Sequence, residues 1–131
     1  MIRILIADDD PDFRFFFKEA VMSLGYACES ARDGDEAIKM LRKQAFDIIF
    51  LDVLMPRRGA ISTLHAIRRI HSDTPIVIIS GNEVVFDSPI IREGLQLAQA
   101  KMSKTGGLRD LAEVISDLTS AKPEIPRPLT D

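Results

Sequence analysis

Apolar residues in this chain follow two spacings. Short apolar runs, at Ile2 to Ala7 with only Arg3 interrupting, Ile48 to Leu51 and Pro75 to Ile79, alternate with longer stretches where apolar positions recur every three or four residues. The first spacing fits strands buried on both faces, and the second fits helices with one apolar stripe. Their alternation predicts repeated βα units and a parallel sheet, with strands at about 2–7, 26–30, 48–51, 75–80 and 100–102. The first helix begins at Pro11, whose missing N–H costs nothing at a first helical position, and Asp10 is its cap. Phe13, Phe16, Phe17, Ala20, Val21 and Leu24 form its expected core stripe, and Gly25 ends it. On the same helix Phe15 and Met22 point away from that stripe and are expected on the surface. Further helices are expected at about 34–43, with Ala37, Ile38 and Leu41 inward, and at about 60–71, with Ile61, Leu64, Ile67 and Ile70 inward. A weaker one starts at Ser88-Pro89 and contains Gly94, and the last carries the stripe Leu108, Leu111, Ala112, Ile115 and Leu118.

With 131 residues, 46% of them hydrophobic, the chain supports one domain core and not two. That domain is expected over residues 1–120, followed by a loose tail, 121–131, carrying Pro123, Pro126 and Pro128. The tail reads either as a natural end or as a linker to an output domain. Seventeen Lys and Arg against twenty Asp and Glu leave a net charge of −3, which argues against direct nucleic-acid binding. No apolar stretch approaches the roughly 18 residues of a membrane span, and the first residues already read as a strand, so a cytoplasmic, non-membrane protein is expected. Cys28 stands alone and reads as a small core residue, while His65 and His71 are too poorly aligned on their helix to share a metal and read as surface positions.

Two apolar runs end in acids: Ile2 to Ala7 in Asp8-Asp9-Asp10, and Ile48 to Leu51 in Asp52. As strands of one parallel sheet, they deliver these carboxylates to the same edge, where repulsion calls for a positive group, most simply a divalent cation. Taken alone, the acidic triplet also fits a helix start, and Ser80 fits a strand-ending turn. Thr105-Gly106-Gly107 reads equally as a turn or as an anion-binding nest.

The run Ile4-Leu5-Ile6-Ala7-Asp8-Asp9-Asp10-Pro11, the run Asp47 to Pro56 with Asp52 at its centre, the segment Thr74 to Ser80 and a late Lys104 together resemble the receiver domain of two-component response regulators. The resemblance covers residues 2 to about 120. It implies a doubly wound, flavodoxin-like α/β fold: a five-stranded parallel sheet of order 2-1-3-4-5, helices on both faces, and a site at the carboxyl ends of the strands. It makes Asp52 the acceptor of a phosphoryl group from the phosphohistidine of a histidine kinase or histidine phosphotransfer protein. Ser80 and Lys104 then contact the phosphoryl oxygens, and Asp8, Asp9, Asp52 and the Leu54 carbonyl serve a Mg²⁺ ion. A phosphoacceptor of this kind is a switch for a downstream protein partner, not an enzyme beyond its own dephosphorylation.

Four departures from that family's pattern fall near the read-out. Thr105 replaces the proline that usually follows the lysine, Lys101 replaces an aromatic residue three positions before it, Gly59-Ala60 stands for a usual Asp-Gly, and Asn82 to Ser88 lengthens a loop. Lys101 also remains a substitute for Lys104 as the phosphate-contacting lysine. An atypical switch is therefore expected, with the outward pair Phe15 and Met22 as a candidate anchor for a partner or for a second copy of the chain. Two competing readings are a pseudo-receiver that binds partners without phosphorylation and a hydrolase of the haloacid-dehalogenase type. The latter wants an acid two residues after its nucleophile, where this chain has Leu54.

Overall fold

The computed structural model describes residues 1–55 and 59–119; Pro56 of the Met55-Pro56 pair and the proline-containing tail lie outside the described residues. Five parallel strands, β1 (Arg3–Ala7), β2 (Ala27–Ala31), β3 (Ile48–Asp52), β4 (Ile76–Ser80) and β5 (Ala100–Ser103), form one sheet in the order β2-β1-β3-β4-β5. Helices α1 (Pro11–Ser23), α2 (Gly34–Lys43), α3 (Ala60–Ile70), α4 (Pro89–Gly94) and α5 (Leu108–Leu118) connect them. This is the doubly wound, flavodoxin-like arrangement.

The three central strands β1, β3 and β4 carry apolar runs, from Ile4, Ile48 and Ile76 onward, because both of their faces are covered. Leu5, Ile49, Leu51, Ile76 and Ile78 meet Ala37, Leu41, Leu64 and Ile67 of α2 and α3 on one side. Their alternate neighbours Ile4, Ile6, Ile48, Phe50, Val77 and Ile79 meet Phe17 and Val21 of α1 and Leu111 and Ile115 of α5 on the other. Fully burying each such side chain contributes about 1.5–3 kcal/mol, so two continuous layers fix the sheet register.

Local signals set the helix ends. Asp10 is extended and its carboxylate accepts the Asp12 N–H at 2.9 Å, capping α1 ahead of Pro11. Gly25 follows α1 with φ +91°, a conformation that suits glycine. Asp33 caps α2 by accepting the Glu36 N–H at 2.8 Å. The weaker helix expected after Ser88 is the single short α4, and the extra loop before it is a 3-10 turn over Glu83–Asp87 capped by Asn82.

Several inward positions differ from expectation. Phe16 is 69% exposed and Leu108 49% exposed, because both line an open groove between α1 and the start of α5. Ile61 and Ile70 are half-buried at the margins of α3, and Val114 joins the α5 side of the core alongside Leu118. Phe15 and Met22 are exposed, as their helical phase requires. Cys28 packs half-buried against the core, and burial pushes its thiol up to about 12, which leaves it inert as a nucleophile at neutral pH. His65 is exposed, but His71 is a correction: it is half-buried, with Nε2 2.9 Å from the carbonyl oxygen of Leu41, and so ties the end of α3 to α2.

Candidate functional site

The register of the sheet builds the site. Ala7 of β1 pairs with Leu51 of β3, so one step further along both strands brings Asp8 beside Asp52. Asp52 in turn pairs with Ile79, which puts Ser80 at the next step of β4. Ser80 pairs with Ser103 of β5, and Lys104 follows directly. The strand order reverses between β1 and β3, so these residues stand at the carboxyl edge of the sheet at its switch point.

One carboxylate oxygen from each of Asp8, Asp9 and Asp52 lies within 4.8 Å of the others. Asp8 and Asp52 are buried, while Asp9 is exposed on the rim. Asp8 is held firmly: its Oδ1 accepts the Asp10 N–H at 2.9 Å, and the Arg14 guanidinium donates to its backbone carbonyl at 2.7 Å. Lys104 Nζ stands 2.6 Å from Asp8 Oδ2 and 3.4 Å from Asp52 Oδ2. At that distance the ammonium meets a fully buried carboxylate oxygen directly. The contact is a close ion pair in which one ammonium faces two buried carboxylates.

The electrostatics follow from this crowding. Burial pushes the Asp52 carboxyl up to about 6, and the Asp8 charge pushes the same way, while Lys104 and the Leu54 N–H oppose. Burial acts against the Lys104 charge, but contact with Asp8 and then with Asp52 outweighs it, so the ammonium is held above its usual range.

Ser80 is buried with its hydroxyl turned into its own loop, donating to the Asn82 carbonyl at 2.9 Å and accepting the Asn82 N–H at 3.0 Å. Leu54 is 61% exposed, and its N–H donates to Asp52 Oδ1 at 3.3 Å. Lys101 is not at this edge: its ammonium lies 5.3 Å from the Phe86 ring centroid, against the 3-10 turn that follows β4. Thr105, Gly106 and Gly107 form a turn in which the Ser103 hydroxyl accepts the Thr105 N–H at 3.1 Å.

The response regulator receiver domain family matches residues 4–116. The chain belongs to that family. CpxR, a transcriptional regulatory protein of Escherichia coli, is 33% identical over 97 residues, covering 74% of this chain and 40% of CpxR. The sensor histidine kinase RcsC of Salmonella typhimurium is 37% identical over 79 residues, covering 60% of this chain and 8% of RcsC. The chain thus spans well under half the length of these relatives. Among solved structures, the response regulator TrrA of Thermotoga maritima, in complex with Mg²⁺-BeF, superposes with a TM-score of 0.81 at 26% identity over 90% of this chain and 99% of that one. A Francisella response regulator receiver domain superposes at 0.77 with 28% identity, over 90% of this chain and 96% of that one. The sheet order of the receiver fold is the one observed here, and among the described residues no helix is long and apolar enough to cross a membrane.

Two contributors to the site escaped the sequence. Arg14 anchors the Asp8 carbonyl from one turn into α1, and Phe13, expected only as a core residue, places its ring centroid 4.6 Å from Lys104 Nζ. Their signal is weak: both lie within six residues of Asp8, but neither has a spacing that marks it apart from any helix-start residue.

Proposed function

We propose that this receiver domain is a phosphoacceptor switch rather than an enzyme with an external substrate. In this reading Asp52 takes a phosphoryl group from a phosphohistidine on a histidine kinase or histidine phosphotransfer protein in the cytoplasm. The observation that carries it is the placement of a buried Asp52, with Lys104 at 3.4 Å, in a cluster of three carboxylates. The Asp52 oxygen forms a bond to phosphorus as the phosphorus–nitrogen bond breaks, and the imidazole leaves with that electron pair. Such a transfer needs positioning and charge neutralisation more than a strong nucleophile.

The donor set is all oxygen, three carboxylates against one lysine ammonium, which suits a hard cation of the Mg²⁺ type. Asp8, Asp9 and Asp52 would hold it together with the Leu54 backbone carbonyl, and it supplies neutralisation of the phosphoryl oxygens. Lys104 already stands at the acceptor, so it contacts the phosphoryl with a small movement. Ser80 must release Asn82 first, which transmits the event into the 3-10 turn over Glu83–Asp87. A downstream protein partner reads that change, and the outward α1 residues Phe15 and Met22 offer it, or a second copy of the chain, an apolar anchor. A hydrolase of the dehalogenase type is disfavoured, because exposed Leu54 stands where a second acid is required.

One observation favours a second reading, a pseudo-receiver that binds without phosphorylation: Lys101 occupies the usual aromatic position and packs on Phe86. Intact-mass measurement after treatment with acetyl phosphate or phosphoramidate, with and without Mg²⁺, separates the two. A single metal-dependent phosphoryl, labile to hydroxylamine and absent in Asp52→Asn, is expected, and Lys101→Met should retain it. No mass gain in the parent, together with equal partner binding by Asp52→Ala, supports the pseudo-receiver instead.

A further inference from the structure

The site lysine has two kinds of neighbour, and only one of them is acidic. Its ammonium lies beside Asp8 and Asp52 and also over the ring of Phe13, 4.6 Å from the centroid. A cation over an aromatic face at this range is attracted by the ring quadrupole, most strongly where water is thinned out, and the Lys104 side chain is only 18% exposed.

The ring itself has little freedom. Phe13 packs on Phe17 with centroids 6.0 Å apart, and Phe17 packs on Phe50 at 4.8 Å. Phe50 is buried in β3 two residues before Asp52, so a row of three rings runs from the strand that carries the acceptor to the lysine that faces it. The start of α1 is fastened to the acidic loop from the other direction, through the Asp10 cap and the Arg14 contact to the Asp8 carbonyl. The distance between ring and carboxylates is therefore set by rigid parts. Lysine needs such a guide, because its four-carbon stem is flexible and its rotatable ammonium is shared between Asp8 and Asp52.

We propose that Phe13 is the positioning residue for Lys104: its ring face confines the ammonium above the Asp8–Asp52 pair, where the incoming phosphoryl must be met. The functional part of this statement rests on the phosphoacceptor reading; the placement of the lysine does not. Leucine at this position keeps the apolar contact with Phe17 and removes the ring, whereas tyrosine keeps both.

The test combines a structural and a kinetic readout on the same proteins. In NMR spectra of the unphosphorylated protein, the Lys104 ε-methylene protons should be shifted upfield by the ring in the parent and in Phe13→Tyr. In Phe13→Leu they should return towards ordinary lysine values. The initial rate of Asp52 phosphorylation by acetyl phosphate at saturating Mg²⁺ should fall about three- to tenfold in Phe13→Leu and recover in Phe13→Tyr, with the folded spectrum unchanged. Identical Lys104 shifts in the parent and Phe13→Leu overturn the proposal, as does a rate loss that tyrosine does not rescue. If the parent accepts no phosphoryl at all, the phosphoacceptor reading fails, and the proton shifts alone decide the role of Phe13.

Discussion

At pH 7 the Asp52 carboxyl, pushed up to about 6 by burial and by Asp8, is ionised against the preference of its surroundings. Its folded value lies above the roughly 3.9 of an unfolded chain, so the protonated form favours folding. The metal-free protein should accordingly be most stable below about pH 4 with respect to this group and lose that contribution as pH rises through about 6. A shift of about two units corresponds to about 2–3 kcal/mol. Asp52→Asn, which carries no charge, should be more stable than the parent by about that amount above pH 7 in chelator and nearly equal to it at pH 4. Urea midpoints at the two pH values check this, and a parent that is equally stable at both would show that Lys104 fully compensates the pair. On the proposed function, the same crowding that costs stability here prepares a carboxylate for a cation and a phosphoryl group. Asp8, Asp9 and Asp52 were legible as candidates because Asp8 and Asp52 each close an apolar run and Asp9 follows Asp8 directly. Phe13 was not, because a cation–π partner has no sequence spacing of its own.

Helix α1 shows where periodicity stops being informative. Its apolar positions define a stripe wider than the surface that covers it, so Phe17 and Val21 are buried while Phe16, beside Phe17 at the edge of the stripe, stays 69% exposed. Leu108 at the start of α5 is left out for the same reason, on the other side of the same groove. Phase along a helix tells which residues face inward, but the width of the buried band depends on the neighbouring helix. Phe17→Ala should therefore cost about 3–5 kcal/mol, since it empties a position packed on Phe50 at 4.8 Å. Phe16→Ala should change stability by no more than about 0.5 kcal/mol. Chemical denaturation of the two variants checks this, and a large loss for Phe16→Ala would mean that the groove closes in solution. The α2–α3 contact was hidden in a similar way: a Cβ on Gly34 would stand 2.0 Å from Thr63 Oγ1, so glycine is required there by close approach rather than by a turn.

The whole molecule places its chemistry by strand order. Four strands contribute to one edge, and the site exists only when β1, β3, β4 and β5 are all in register. A cation that binds the folded edge and not the unfolded chain must then stabilise the entire domain, by about 2.7 kcal/mol at a hundredfold excess over its dissociation constant. Thermal melts should shift upward with Mg²⁺ in the parent and stay unchanged in Asp8→Ala; an equal shift in both would place the ion elsewhere. By itself the sequence determined the alternation of strands and helices, the cap at Asp10, and the acids that end β1 and β3, because run length, period and capping act over a few neighbouring residues. Only the tertiary structure decided which lysine stands beside the carboxylates. Lys101 and Lys104 are three residues apart, and an odd step around a strand sends side chains to different sides. The choice between those sides belongs to the pairing of β5 with β4 and to the ring of Phe13, contacts made by residues far apart in the chain.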